Sequence, residues 1–130
     1  MIVADASAIL EVLLRTPAAA GVESRILSGE TLHAPHVLDL EVAQVLRRYE
    51  LRGELTARRG EEALSDFADL IIERYPHHLF LGRIRDLRHN LTAYDAAYVA
   101  LAEALGAPLV TRDARLGRVR GHGARVEVIE

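Results

Sequence analysis

The sequence lacks two side chains that define common kinds of site. It contains no cysteine, which excludes a disulfide framework and any metal site built on thiolates. It also contains no lysine, since all 16 basic residues are arginine. The chain therefore cannot use a P-loop lysine or Schiff-base chemistry. The composition bias of a genome would explain the use of arginine alone equally well.

Long apolar runs and a basic leader are also missing. The first apolar stretch contains Asp5 and Glu11, and no window reaches the ~18 uncharged apolar residues that a membrane span needs. We therefore expect no signal peptide, no membrane association and a cytoplasmic location. A length of 130 residues, half of them hydrophobic, is enough for one domain with an ordinary core.

Short apolar stretches alternate with segments of helical periodicity along the chain. Strands are predicted at 2–4, 31–34, 76–81, 108–111 and 125–129. Helices are predicted at 7–14 with Ser7 as N-cap, from 16–17 to about 28, at 35–51, 56–71, 84–88 and 92–105, with one more between the last two strands. Strands that alternate with helices and lack tight hairpins predict an α/β fold with a mainly parallel sheet.

Four acids follow these elements in a pattern. Asp5 and Asp113 come just after two apolar strands, at the sheet edge where ligands of parallel sheets bind. Asp95 opens an apolar helix, three residues after Thr92. In the helix from Pro35, both Asp39 and Glu41 lie at margins of the buried stripe, and the helical wheel does not choose between them.

Each acid taken alone has a structural explanation, because Asp and Glu are common helix caps or first-turn residues. Together, four carboxylates at one edge would repel one another and raise the pKa of at least one member. A hard cation such as Mg²⁺ or Mn²⁺ removes that repulsion. Four acids in one metal site would also leave the remaining surface close to neutral, despite a net charge of −3.

Four stretches carry these acids: Ile2-Val3-Ala4-Asp5-Ala6-Ser7, Leu40-Glu41-Val42, Leu91-Thr92-Ala93-Tyr94-Asp95-Ala96 with Tyr98-Val99-Ala100-Leu101-Ala102, and Leu109-Val110-Thr111-Arg112-Asp113. In order and spacing they resemble the four motifs of PIN-domain proteins, and more closely those of VapC toxins of bacterial toxin–antitoxin pairs. The Thr-x-Tyr-Asp-Ala-x-Tyr stretch is the most specific part of the resemblance.

The resemblance implies that residues 1–130 form a single PIN domain, a three-layer α/β fold with about five strands. It implies a Mg²⁺- or Mn²⁺-dependent endoribonuclease that hydrolyses RNA with a metal-activated water. The implied catalytic and metal-binding residues are Asp5, Glu41, Asp95 and Asp113, which selects Glu41 over Asp39. Ser7 and Thr111 match supporting hydroxyl positions.

The resemblance also implies a VapB-like antitoxin as partner and a homodimer. The apolar positions Ile9, Leu10, Leu13, Leu14, Leu38 and Val42 offer a groove for a partner helix. The alternative function is a catalytically silent binding module whose acids are helix caps.

Candidates for RNA contacts lie around these motifs. Arg112 and Arg115 flank Asp113 and could contact phosphates. Two further basic groups are Arg83, Arg85 and Arg88, and Arg47, Arg48, Arg52, Arg58 and Arg59, although nearby glutamates could pair with them. Tyr94 and Tyr98 could stack on bases or pack in the core.

Overall fold

The computed structural model describes residues 1–17 and 19–130. These residues form five strands and six α-helices. In chain order they are β1 (Ile2–Ala4), α1 (Ala6–Leu14), α2 (Ala19–Ile26), β2 (Leu32–Pro35), α3 (Val37–Leu51), α4 (Ala57–Asp69), β3 (Ile72–Tyr75), α5 (Leu81–Asp86), α6 (Ala93–Leu105), β4 (Leu109–Thr111) and β5 (Val126–Val128). Short 3₁₀ helices occupy His77–Phe80 and Leu116–Arg118.

The strands form one sheet in the order β3-β2-β1-β4-β5, and every neighbouring pair is parallel. This arrangement, flanked by helices, confirms the predicted α/β fold with a parallel sheet of five strands. The chain adds β2 and β3 on one side of β1 and then crosses to place β4 on the other side. The switch point between β1 and β4 is where ligands of such sheets bind.

Helix α6 is the central helix of the core. Seven consecutive residues, 96 to 102, are buried, as the uniformly apolar sequence of this segment predicts. Thr92 caps its N-terminus by accepting a hydrogen bond from the Asp95 N–H, and Gly106 ends it with a left-handed backbone, φ 62°.

Helix α1 begins one residue earlier than predicted. Its N-cap is Asp5, whose Oδ1 accepts a hydrogen bond from the Ala8 N–H at 3.1 Å, so the expectation that Ser7 is the cap is wrong. The predicted start of the second helix at 16–17 runs into residue 18, which lies outside the described residues; the described helix begins at Ala19. The helix predicted from Pro35 begins at Val37, because Pro35 is the last residue of β2.

The third strand lies earlier than the predicted 76–81, which is wrong. The chain turns extended at Leu70, ψ 133°, after helix α4, and β3 runs from Ile72 to Tyr75. It is an edge strand that pairs with β2 and is only partly buried. Its charged residues Glu73 and Arg74 hide the apolar character by which a strand is recognised. The helix predicted between the last two strands is a single 3₁₀ turn, Leu116–Arg118.

The prediction of a partner groove on the apolar faces of α1 and α3 is wrong. Five of its six apolar side chains are buried in the protein's own core: Ile9, Leu10, Leu13, Leu38 and Val42. They are needed to join the two helices to the sheet. Within the described ranges, no helix is long and apolar enough to cross a membrane.

Candidate active site

The four predicted acids lie around the switch point of the sheet. Asp5 follows β1 and Asp113 follows β4, and these strands are neighbours. Glu41 reaches inward from the second turn of α3, and Asp95 does so from the first turn of α6. The charge of Asp95 acts on the pKa of Asp5, and the charges of Asp95 and Asp5 act on that of Glu41. The structure thus brings the four acids to one edge.

Asp5 is the buried centre of this group, with only 6% of its surface exposed. Ser7 Oγ donates to its Oδ1 at 2.6 Å, and Thr111 Oγ1 donates to its Oδ2 at 2.5 Å. With the Ala8 N–H, the carboxylate accepts three hydrogen bonds among the described residues. Since a carboxylate offers about four acceptor positions, Oδ2 retains one for a further ligand.

The same two hydroxyls bind the backbone that follows β4. Ser7 Oγ accepts from the Arg112 N–H, and Thr111 Oγ1 accepts from the Asp113 N–H, both at 2.9 Å. Each hydroxyl therefore accepts a hydrogen bond from a backbone N–H and donates one to Asp5, and so links the backbone after β4 to the Asp5 carboxylate. Their own oxygens lie 3.2 Å apart, but both protons already point at the carboxylate, so this contact adds little. Ser7 and Thr111 fix Asp5 relative to Asp113.

Burial raises the pKa of Asp5 above its ordinary value of 3.8. The hydrogen bonds from Ser7, Thr111 and Ala8 oppose this rise, whereas the negative charge of Asp95 adds to it. The carboxylate accepts hydrogen bonds from neutral groups, and no cationic side chain of residues 1–17 and 19–130 is bonded to it. A bound divalent cation would stabilise its ionised form.

Glu41 and Asp39 point to different partners. Glu41 Oε1 accepts a 2.6 Å hydrogen bond from the Tyr98 hydroxyl, which α6 carries within the core. Burial raises the pKa of Glu41, the Tyr98 bond lowers it, and the charges of Asp95 and Asp5 raise it. Asp39 instead accepts two 2.9 Å bonds from Arg74 Nε on β3. The geometry therefore selects Glu41, which the helical wheel could not.

Asp95 and Asp113 share one arginine. Arg115 Nη2 lies 2.8 Å from Asp95 Oδ2 and 3.1 Å from Asp113 Oδ2. The Arg115 N–H also donates to Asp113 Oδ1 at 2.9 Å. A single nitrogen thus bridges two carboxylates at the outer side of the site.

The cap interpretation accounts for only part of this group. Asp5 caps α1, and Asp113 accepts from the backbone two residues ahead. Glu41 lies beyond the first turn of α3 and bonds a side chain. Asp95 gives its N–H to Thr92, but among the described contacts its carboxylate pairs with Arg115 rather than returning to the Thr92 N–H. Capping therefore explains neither Glu41 nor the carboxylate of Asp95.

The donor set suits a hard divalent cation, because it consists of carboxylate oxygens with hydroxyls behind them. In the described parts of the chain, however, no three acidic or imidazole side chains are grouped closely enough to hold one ion as they stand. Arg115 lies between two of the acids, and Glu41 is turned to Tyr98. Mg²⁺ commonly binds through one or two carboxylates and keeps several waters, so the residues fit such an ion.

The predicted basic residues differ in their availability. Arg112 is held by the Ile129 carbonyl at 3.2 Å and lies 3.8 Å from Glu11. Arg83 is committed to Glu103 through two bonds of 2.8 and 2.9 Å. Arg58 and Arg59 pair with Glu62, and Arg85 and Arg88 are exposed. Of these basic side chains, Arg115 is the one that contacts the acids in the described part of the chain.

Of the two tyrosines in the most specific motif, Tyr98 packs in the core and Tyr94 is free to stack on a base. Tyr98 is a core residue, 1% exposed, whereas Tyr94 is 61% exposed. The hydrogen bond from Tyr98 to Glu41 was missed from the sequence, although its position one helical turn after Tyr94 and three residues after Asp95 would have pointed to the same face. Tyr94, Leu40 and Glu41 line an open groove of about 600 Å³ between α3 and α6.

Comparison with known proteins agrees with this fold. The family model for the PIN domain matches residues 2–122. The chain is 44% identical over 129 residues to Ribonuclease VapC12 of Mycobacterium tuberculosis, with 99% of both proteins covered. It is 47% identical over 116 residues to VapC ribonuclease Mb0985 of Mycobacterium bovis, covering 89% of this chain and 88% of that protein.

Among solved structures, the chain is similar to VapBC2 from Rickettsia felis bound to a DNA fragment from their promoter. The TM-score is 0.72 at 14% identity, and the match covers 100% of both chains. At that identity the likeness concerns the fold alone.

Proposed function

The chain belongs to the PIN-domain family, and we propose that it is a metal-dependent endoribonuclease, the toxin of a toxin–antitoxin pair. Its curated relatives are named VapC ribonucleases, and divalent-metal dependence is general in this family. The observation that carries the proposal is the convergence of four carboxylates on the switch point of the sheet, with Asp5 buried among them. We propose residues 1–130 as one PIN domain.

We assign metal binding to Asp5, Glu41, Asp95 and Asp113, with Mg²⁺ or Mn²⁺ as the ion. When bound, such a cation lowers the pKa of a water and neutralises charge on the phosphate oxygens. The four carboxylates would hold the ion and would orient the water that attacks phosphorus. Ser7 and Thr111 orient Asp5 through their hydrogen bonds, and Tyr98 orients Glu41.

Water is the nucleophile in this proposal, because the local hydroxyls are already engaged. Ser7 and Thr111 each donate to Asp5 and each accept a backbone N–H. The base that both hydroxyls contact is Asp5, which the proposal uses as a metal ligand, and the sequence offers no cysteine or lysine as an alternative. The reaction is therefore hydrolysis of the phosphodiester without a covalent intermediate on the protein.

RNA reaches the acids over the outer side of the site. Arg112 and Arg115 are the proposed phosphate contacts, since they flank Asp113 on the exposed loop after β4. The exposed ring of Tyr94, directly before Asp95, provides a stacking surface for a base. The net charge of −3 does not oppose this, because the acids that a cation would neutralise lie at the place of contact.

The partners of the proposed toxin are a VapB-like antitoxin and a second copy of the chain, in the cytoplasm. The Rickettsia felis structure that shares this fold is one of VapBC2 bound to a promoter DNA fragment. The groove between α3 and α6, with exposed Leu40 and Tyr94, offers apolar surface next to Glu41 and Asp95. A partner there would cover the entrance to the acids.

The test is cleavage of a mixed pool of structured and single-stranded RNAs by the purified chain, with Mg²⁺, with Mn²⁺ and with chelator. Cleavage that needs metal and disappears in Asp5→Asn supports the proposal. Asp39→Asn is the matched control, because it removes a carboxylate from the same helix that carries Glu41 but pairs with Arg74 instead. Equal loss in both variants would contradict the assignment of the site.

The alternative, a catalytically silent binding module, makes the opposite prediction. It requires the acids to act as caps, which Asp5 does. Asp113 accepts from the Arg115 N–H, ahead of a 3₁₀ turn whose N-cap is Arg115, and Glu41 bonds Tyr98. Absence of cleavage with either metal, together with intact folding, would move the assignment to that class.

A further inference from the structure

Arg115 is the one cation in direct contact with the acids within the described residues. Its Nη2 approaches Oδ2 of both Asp95 and Asp113, at 2.8 and 3.1 Å. Both contacts come from the same nitrogen, so the positive charge lies between the two carboxylates. The guanidinium thus occupies a place where a divalent cation shared by these acids would lie.

The ion pairs between Arg115 and the two aspartates are weak, because the side chains are partly exposed to solvent. The Arg115 side chain is 54% exposed, and those of Asp95 and Asp113 are 22% and 36% exposed. Exposed ion pairs contribute little to stability because water and salt screen them. Arg83, by comparison, uses two nitrogens on one carboxylate, Glu103, whose side chain is 19% exposed. Arg115 can therefore leave its acids without disturbing the core.

Among the residues that the structure describes, none of the ion pairs involves the inner acids Asp5 and Glu41. Asp5 and Glu41 are held by neutral donors, namely the hydroxyls of Ser7, Thr111 and Tyr98 and the Ala8 N–H. The site is thus divided into an inner half stabilised by dipoles and an outer half neutralised by an arginine.

We propose that Arg115 is an internal counter-ion of the metal site, which bridges Asp95 and Asp113 in the metal-free protein and is displaced when a divalent cation binds these carboxylates. The inference rests on the proposed function, since it assumes that the acids bind such an ion. It assigns Arg115 as a positioning residue that limits metal affinity. The displaced guanidinium moves outward, toward the surface where RNA would lie.

The first test compares Mn²⁺ affinity, by titration calorimetry, in the wild type, Arg115→Gln and Arg118→Gln. Arg118 lies on the same loop and is exposed, so its variant controls for the loss of one positive charge. We expect Arg115→Gln to bind Mn²⁺ about two- to fivefold more tightly, which corresponds to about 0.4–1 kcal/mol. We expect Arg118→Gln to equal the wild type.

The second test follows the Arg115 side chain itself by NMR of the guanidinium Nε–H during titration with Mg²⁺. The signal is assigned by its loss in Arg115→Gln. We expect it to shift and to gain mobility as Mg²⁺ saturates the protein.

The role of Arg115 and the metal site of the four acids would be refuted by different results. If the wild type binds Mn²⁺ and Arg115→Gln binds it equally or more weakly, Arg115 is not a competing counter-ion and the inference is overturned alone. An Arg115 guanidinium signal that does not change at saturating Mg²⁺ would likewise overturn the inference alone. If neither protein binds Mn²⁺, the assignment of the four acids as a metal site is overturned together with the inference.

Discussion

The hydrogen bond between Tyr98 and Glu41 gives the sharpest prediction about a single side chain. Tyr98→Phe removes the hydroxyl that donates to Glu41 Oε1 at 2.6 Å and leaves the buried ring in place. Because the ring fills the same volume, no large cavity forms. Glu41 is partly exposed and can exchange the lost donor for water, so we expect the free energy of unfolding to fall by only about 1 kcal/mol.

The effect on the metal site is expected to be larger. A group that orients a metal ligand typically changes affinity by about 10- to 100-fold, and we expect Tyr98→Phe to weaken Mn²⁺ binding by about tenfold. The bond from Tyr98 also lowers the pKa of Glu41, against burial and the charges of Asp95 and Asp5. Its loss raises that pKa, so a larger share of Glu41 is protonated and the defect should grow as the pH falls.

Urea unfolding followed by circular dichroism measures the first effect, and calorimetric Mn²⁺ titration at several pH values measures the second. Tyr94→Phe is the matched control: it makes the same chemical change one turn earlier on α6, at a ring that is 61% exposed. If Tyr98→Phe binds Mn²⁺ as the wild type does while Glu41→Gln does not, Glu41 does not depend on Tyr98 for its position.

Three further predictions concern stability. Glu103→Gln should lower the free energy of unfolding by about 1 kcal/mol at pH 7. Arg83 lowers the pKa of Glu103, so the ion pair stabilises the protein above the unfolded pKa of 4.5. In urea titrations, the difference between wild type and variant should vanish as the pH falls below that value. Thr111→Val should cost about 2 kcal/mol in the same assay, since it strands a buried donor and acceptor, whereas Thr111→Ser should cost less. Gly60→Ala should raise the melting temperature, because the new Cβ meets only the movable end of Glu50 at 2.8 Å while helix propensity gains about 0.5–1 kcal/mol; a lower melting temperature would show that Glu50 cannot move aside.

The sequence was sufficient to predict a mainly parallel sheet, its neighbouring strands β1 and β4, and the aspartates that follow them. Strands 2–4 and 109–111 are buried on both faces and consist of apolar residues apart from Thr111. The aspartates that follow these strands must lie at one edge of a parallel sheet. Strand β3 was misplaced for the opposite reason. It is an edge strand with two charged side chains, Glu73 and Arg74, and so lacks the apolar run by which β1 and β4 were recognised.

The hydrogen bonds between side chains of the site could not be predicted. Thr111 and Asp5 are 106 residues apart in sequence, and Glu41 and Tyr98 are 57 residues apart. Neither hydrogen bond follows from local periodicity, which fixes only which face of an element a side chain occupies. The double contact of Arg115 depends on a side-chain conformation. A proposed partner groove failed because apolar periodicity does not distinguish a face that packs internally from one that remains open.

The central claim is that Asp5, Glu41, Asp95 and Asp113 form one divalent-metal site. The most direct measurement is a Mn²⁺ titration of the wild type beside the four single carboxylate-to-amide variants, with Asp39→Asn as control. We predict that each of the four variants weakens Mn²⁺ binding by at least about tenfold, while Asp39→Asn binds as the wild type does. Wild-type affinity in the Asp5 and Glu41 variants would contradict the account.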